Sequence, residues 1–145
     1  MVYNREAAAA YAIRYALTPN PNYIYYSADD CTNFISQCLR AGGANNDFNR
    51  SHPWWYLYGK NSVCWSVAQS LFWYIRVCSE EKRFGIKADT YYLDLNNEYE
   101  SKIEGKIFIG DLIQYKNAHD NIVHSSIITG FDSITKEPLI SQHHF

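Results

Sequence analysis

The run Tyr25-Tyr26-Ser27-Ala28-Asp29-Asp30-Cys31-Thr32-Asn33-Phe34-Ile35-Ser36-Gln37-Cys38-Leu39 carries one cysteine where an irregular polar segment turns into a helix. The spacing predicts a helix over Cys31 to Ala41, with Asp29 or Asp30 as cap and Gly42-Gly43 as stop. Cys31, Phe34, Ile35 and Cys38 then share one face. A helix N-terminus points unpaired N–H groups and a partial positive charge outward, which eases loss of a thiol proton. The thiolate is the nucleophilic form. Cys31 is therefore a candidate nucleophile, and the question for the fold is which later element brings it a base.

Upstream, Asn4 caps a helix expected over Arg5 to Leu17, which Thr18-Pro19-Asn20-Pro21-Asn22 must end because proline cannot continue the ladder. Tyr23 to Tyr26 reads as extended or irregular. Downstream lies a loop, Asn45 to Asn61, containing Pro53-Trp54-Trp55-Tyr56. Ser62 is expected to cap a third helix running through Val77, followed by a charged connector from Glu80 to Lys87. The remainder is strand-like over Tyr91 to Leu95, Ile107 to Ile109, Leu112 to Tyr115, Ile122 to Thr129 and Leu139 to His143. Helices followed by an antiparallel meander make an α+β pattern, with the nucleophile helix packed on a sheet that carries the base. The length of 145 residues fits one domain spanning 1–145. The abrupt end on a strand-like run suggests a domain cut from a longer chain.

Composition narrows the function classes. The formal charge of −2 and the lack of any Lys/Arg run exclude a nucleic-acid footprint. No apolar stretch is long enough to span a membrane, and no signal-peptide pattern opens the chain. Thirteen tyrosines and four tryptophans supply aromatic surface of the kind that lines sugar- or peptide-binding grooves. The four cysteines, at 31, 38, 64 and 78, contain no C-x-x-C pair. Cys31 and Cys38 would stand about 10 Å apart on one helix, too far for a disulfide. Free thiols are expected, with Cys38, Cys64 and Cys78 as packing residues.

A catalytic cysteine needs a histidine to take its proton and a polar group to orient that histidine. His124 opens the strand His124-Ser125-Ser126-Ile127-Ile128 and is the candidate base. His143, on the next strand, is the candidate third residue, with Gln142 and Ser141 as rivals; alternation puts Ser141 and His143 on one face and Gln142 on the other. His144 and His119 read as surface residues, and Asp111 as a turn residue entering a strand. Asp30 beside the thiol would raise its pKa unless a cation or N–H group meets it; Arg40 and Arg14 are the candidate partners. The Cys31 N–H is one oxyanion donor, with Ser27, Tyr26 or Tyr25 upstream as candidates for a second. Trp54 and Trp55 either wall a substrate groove or cover the core beneath their loop. Such chemistry requires no metal or organic cofactor, and His143-His144 pointing to opposite faces argues against a metal site.

Asp30-Cys31-Thr32-Asn33-Phe34-Ile35-Ser36-Gln37-Cys38-Leu39 with Ala41-Gly42-Gly43 resembles the signature of the putative amidase domain of Gram-positive bacteria. Tyr3-Asn4-Arg5-Glu6-Ala7-Ala8 with Tyr11-Ala12 is similar to that family's first helix. Gly110-Asp111-Leu112-Ile113-Gln114-Tyr115, His124-Ser125 and Ile140-Ser141-Gln142-His143 are similar to its C-terminal half. The resemblance implies a papain-like fold related to NlpC-type and CHAP-type cell-wall hydrolases, in which Asn33 replaces a common glycine. It implies Cys31 as nucleophile, His124 as base and His143 as best match for the third residue. It also implies a peptidoglycan peptide or amide as substrate, and a cell-wall location if a signal peptide was removed, otherwise a cytoplasmic one. Two other functions fit the same residues: a transglutaminase-like acyltransferase, and a wall-binding module that has lost activity.

Overall fold

The computed structural model describes residues 2–93 and 105–144. The Asn4 side chain accepts the Ala7 N–H at 2.9 Å and so caps α1 (Arg5–Tyr15). This helix ends two residues earlier than its alanines predict, ahead of the proline-containing segment. The second helix, α2 (Cys31–Ala41), begins at the cysteine. Gly43, at φ +110°, stops it. Gly42 is required for a different reason: a Cβ there would lie 2.4 Å from the Tyr3 ring.

Every residue of α2 from Cys31 to Leu39 is buried, so the helix runs through the core rather than along its surface. Phe34, Ile35 and Leu39 contribute apolar burial worth about 1.5–3 kcal/mol each. The buried polar residues from Thr32 to Gln37 on the same helix all find partners, as burial demands. Thr32 Oγ1 lies 3.1 Å from Ser125 Oγ. Ser36 donates to the Trp65 carbonyl at 2.7 Å and accepts the Trp54 indole N–H at 3.0 Å. Gln37 accepts the Tyr11 hydroxyl at 2.6 Å.

The expected third helix is two helices, α3 (Val63–Ser66) and α4 (Ala68–Glu81), broken at Val67, which is extended at φ −113°, ψ 124°. Ser36 draws the Trp65 carbonyl toward α2, and that carbonyl would otherwise accept within a continuous helix. Past the break, α4 continues through Glu81 into the expected connector and ends at Lys82, in the left-handed conformation. The long aromatic loop contains a bridge between Asp47 and Trp54 and a small hairpin, β1 (Tyr56–Leu57) with β2 (Lys60–Asn61). Its turn residues Tyr58 and Gly59 both have positive φ, as a two-residue hairpin turn requires.

Three further strands form an antiparallel sheet in the order β3 (Leu112–Lys116), β4 (Ile122–Phe131), β5 (Pro138–Ser141). Helices first and an antiparallel sheet after is the expected α+β arrangement. Ile107 to Ile109 is not a strand: Asp111 curls it into a turn by accepting the Phe108 N–H at 2.8 Å. Arg5 Nη1 meets the other carboxylate oxygen of Asp111 at 2.5 Å, tying this turn to α1. Of the expected strand Tyr91 to Leu95, residues 91–93 are irregular and the rest lies outside the described residues. Among the described residues no helix is long and apolar enough to cross a membrane.

The register of the sheet sets up the site. Tyr115 pairs with His124 and Gln114 with Ser125, whereas the last residue of β5, Ser141, pairs with Ile127. The start of β4 therefore has β3 on one side and no β5 on the other. The N-terminal end of α2 packs there, through Thr32 and Ser125.

Candidate functional site

Cys31 sits at the first position of α2, and only 1% of it is exposed. Its sulfur lies 3.5 Å from Thr32 Oγ1, which in turn lies 3.1 Å from Ser125 Oγ, one residue after His124. Burial pushes the thiol above its ordinary range, and a hydrogen bond to the Asp29 carboxylate pushes the same way. The hydroxyl of Thr32 and the N–H of Ser125 favour the thiolate and partly offset those effects.

The carboxylate against the thiol is thus Asp29, which also accepts the Cys31 N–H at 3.4 Å. Asp30 occupies the cap position but makes no side-chain capping bond. Its Oδ1 accepts the Tyr26 N–H at 2.9 Å and the Asn33 amide at 2.8 Å. Its Oδ2 lies 2.5 Å from His143 Nδ1, both side chains being at most 4% exposed. Neither Arg40 nor Arg14 is its partner; the charge expected to oppose the thiolate is turned away and held by His143.

His143 Nε2 faces the Tyr15 carbonyl at 2.7 Å, and its ring stacks on Phe34 with centroids 3.8 Å apart. Both ring nitrogens therefore face oxygen acceptors. With both nitrogens engaged, His143 does not orient His124.

Gln142 meets His124: its Oε1 lies 2.8 Å from His124 Nε2. Strand alternation placed Gln142 on the wrong face because it assumed β5 continues. The strand stops at Ser141, and the following residues leave the pleat, with His144 at φ +59°. An amide oxygen is an acceptor, so His124 carries its proton on Nε2 and Nδ1 is the basic nitrogen. The His124 ring also stands 5.4 Å from that of Tyr115 on β3.

The expected oxyanion and substrate residues scatter. Tyr26 spends its N–H on Asp30 and its hydroxyl on Asn61, which removes both from an oxyanion role. Ser27 is exposed on the same loop. Trp54 is fully buried, stacked near Trp65 and Tyr74, and walls no groove. Trp55 is half-buried against Phe48. Three contacts had no sequence signal: Tyr25 Oη reaches His144 Nε2 at 3.1 Å, and Asn33 accepts the Trp65 indole N–H at 2.8 Å while donating to the Ile24 carbonyl. Asn33 thus ties the loop ahead of Cys31 to α3, a task glycine cannot perform. All four cysteines are free and buried, and no group of residues that could hold a metal occurs among the described residues.

The sequence profile described as "Putative amidase domain" matches residues 2–145. Two curated relatives come from Bacillus subtilis (strain 168). "Uncharacterized protein YhbB" is 44% identical over 75 residues, covering 50% of this chain and 24% of that protein. "Uncharacterized protein YjcM" is 62% identical over 40 residues, 28% of this chain and 10% of that protein. The matched stretches thus span a quarter or less of each relative's length. No solved structure matches the chain.

Proposed function

Because the chain belongs to the putative amidase domain family, we propose that it hydrolyses an amide or peptide bond with Cys31 as nucleophile, His124 as base and Gln142 as the group that orients His124. The supporting observation is the link from the Cys31 sulfur through Thr32 Oγ1 to Ser125 Oγ, next in the chain to a histidine whose Nε2 faces Gln142. In this reading His124 Nδ1 takes the thiol proton, and the sulfur attacks the carbonyl carbon. The Cys31 N–H receives the developing oxyanion once Asp29 moves aside. Collapse expels the amine, protonated by His124, and leaves a thioester. His124 then takes a proton from water, whose oxygen displaces the thiol and completes hydrolysis. A peptidoglycan peptide is the proposed substrate, on a papain-like fold. The test is release of free amino groups from purified muropeptides. Cys31→Ala should abolish it and His124→Ala should lower it by orders of magnitude, and full activity in Cys31→Ala would sink the assignment. The same assay with an added primary amine separates hydrolysis from acyl transfer.

Burial of Cys31 and its raised pKa favour a second reading, a wall-binding module with an inert thiol. The two are separated by alkylation of the native protein near neutral pH. Fast labelling of Cys31 that is lost in His124→Ala supports the enzyme; labelling no faster than at Cys38 supports the module.

A further inference from the structure

A cleft of about 400 Å³ opens between α1, the loop that follows it and the C-terminal half of α2, within the size range of small-molecule sites. It is lined by Tyr11, Asn20, Asn22, Tyr23, Gln37 and Arg40, among others. Arg40 lies nine residues beyond Cys31 on α2, which is about 13 Å along the axis and roughly half a turn around it. The cleft is therefore separate from the thiol.

Among the described residues that line it, Arg40 alone carries a positive charge, and no carboxylate among the described residues pairs with it. Its guanidinium lies over the Trp54 and Trp65 rings, 5.7 and 5.0 Å from their centroids. One corner donates to the neutral Asn46 oxygen, and Nε is buried with no partner. Burial lowers the guanidinium pKa, opposed by the nearby Tyr23 phenol. The helix C-terminus offsets at most about half a charge. A half-buried cation with no carboxylate beside it leaves charge and donors available to an anion.

We propose that this cleft binds a small monocarboxylate whose body carries an amide, such as an acylated amino acid. The charge and the planar fork of Arg40 match a single carboxylate. The Tyr23 hydroxyl, the Asn22 carboxamide and the Gln37 Nε2 make no hydrogen bond among the described residues and so can meet an amide, whereas Asn20 is spent on the Tyr11 hydroxyl and the Asn22 N–H. Tyr11 and Tyr23 wall the body of the ligand. A phosphate dianion would leave one buried negative charge without a partner.

The experiment titrates the ¹⁵N-labelled protein with N-acetylglycine, following the Arg40 Nε–H and the side-chain amides of Asn22 and Gln37. Saturable shifts at these groups are expected. The neutral N-acetylglycinamide should bind at least ~10-fold more weakly, as loss of a charge-assisted pair implies. Arg40→Gln should abolish the shifts. Because Arg40 also packs on two core indoles, Tyr23→Phe provides a second variant, expected to weaken binding several-fold with an unchanged melting temperature. Cys31→Ala should bind as the parent does, so failure here is distinguishable from failure of the amidase reading. Equal binding of acid and amide, tighter binding of inorganic phosphate, or shifts confined to other residues would overturn the proposal.

Discussion

Replacing Asp30 by alanine removes three acceptor contacts at once: the Tyr26 N–H at 2.9 Å, the Asn33 amide at 2.8 Å and His143 Nδ1 at 2.5 Å. The first two hold the loop that precedes Cys31, and the third anchors the chain after β5. Asp30 and His143 are at most 4% exposed, so water cannot replace the lost partner without local opening. Breaking a buried charged pair from one side costs about 3–5 kcal/mol. Summing three charged hydrogen bonds at about 1.5–3 kcal/mol each would give more, but the three share one carboxylate and do not add. A chain of 145 residues loses roughly 3 °C of melting temperature per kcal/mol, so Asp30→Ala should melt about 9–15 °C lower. Calorimetry of Asp30→Ala, His143→Ala and the double variant measures this directly. The double variant should lose much less than the sum of the singles, because each single already destroys the pair. A loss below about 1 kcal/mol for Asp30→Ala, or simple additivity in the double variant, would refute the buried Asp30–His143 pair as the clamp on this loop.

Four further outcomes are expected. On the proposed mechanism, His124→Ala should lower kcat by about 10²–10⁴-fold and Gln142→Ala by a smaller factor, measured as amine release. His143→Gln should lower the melting temperature yet leave kcat near the parent value below its transition; a kcat loss matching Gln142→Ala would return the orienting role to His143. Burial pushes the Cys38 thiol well above its ordinary range and Cys64 up to about 11. These thiols keep their protons when folded but release them above pH ~8.5 when unfolded, so the unfolded state binds fewer protons and stability falls with rising pH from there. Denaturant midpoints between pH 7 and 11 should show that fall, shallower in Cys64→Ala; a midpoint rising across the window would contradict it. Trp54→Ala should cost about 3–5 kcal/mol by denaturant melt while leaving KM unchanged in the folded protein, whereas a raised KM with intact stability would restore Trp54 to a groove.

Local chemistry made several elements legible in advance. Asn4 and the alanines after it specify α1, and the apolar spacing from Cys31 to Leu39 specifies α2 together with its buried face. The strand periodicity of Ile122 to Thr129 and the turn residues around it specify most of β4, and with it the place of His124. These depend on neighbours a few residues apart, which periodicity and capping capture. Other features depend on partners distant in the chain. The break at Val67 follows from Ser36, some thirty residues earlier, capturing the Trp65 carbonyl. Asp30 found His143 rather than an arginine because the end of β5 returns beside the start of α2, a contact across 113 positions. Gln142 rather than His143 faces His124 because β5 stops pairing at Ser141, and strand alternation holds only while the ladder continues. The residue opening α2 was thus identifiable as the thiol to watch from Asp30-Cys31-Thr32 alone. Which carboxylate opposes it, and which side chain meets His124, were set by tertiary packing, because hydrogen bonds in a buried site go to whichever acceptor the fold brings within reach.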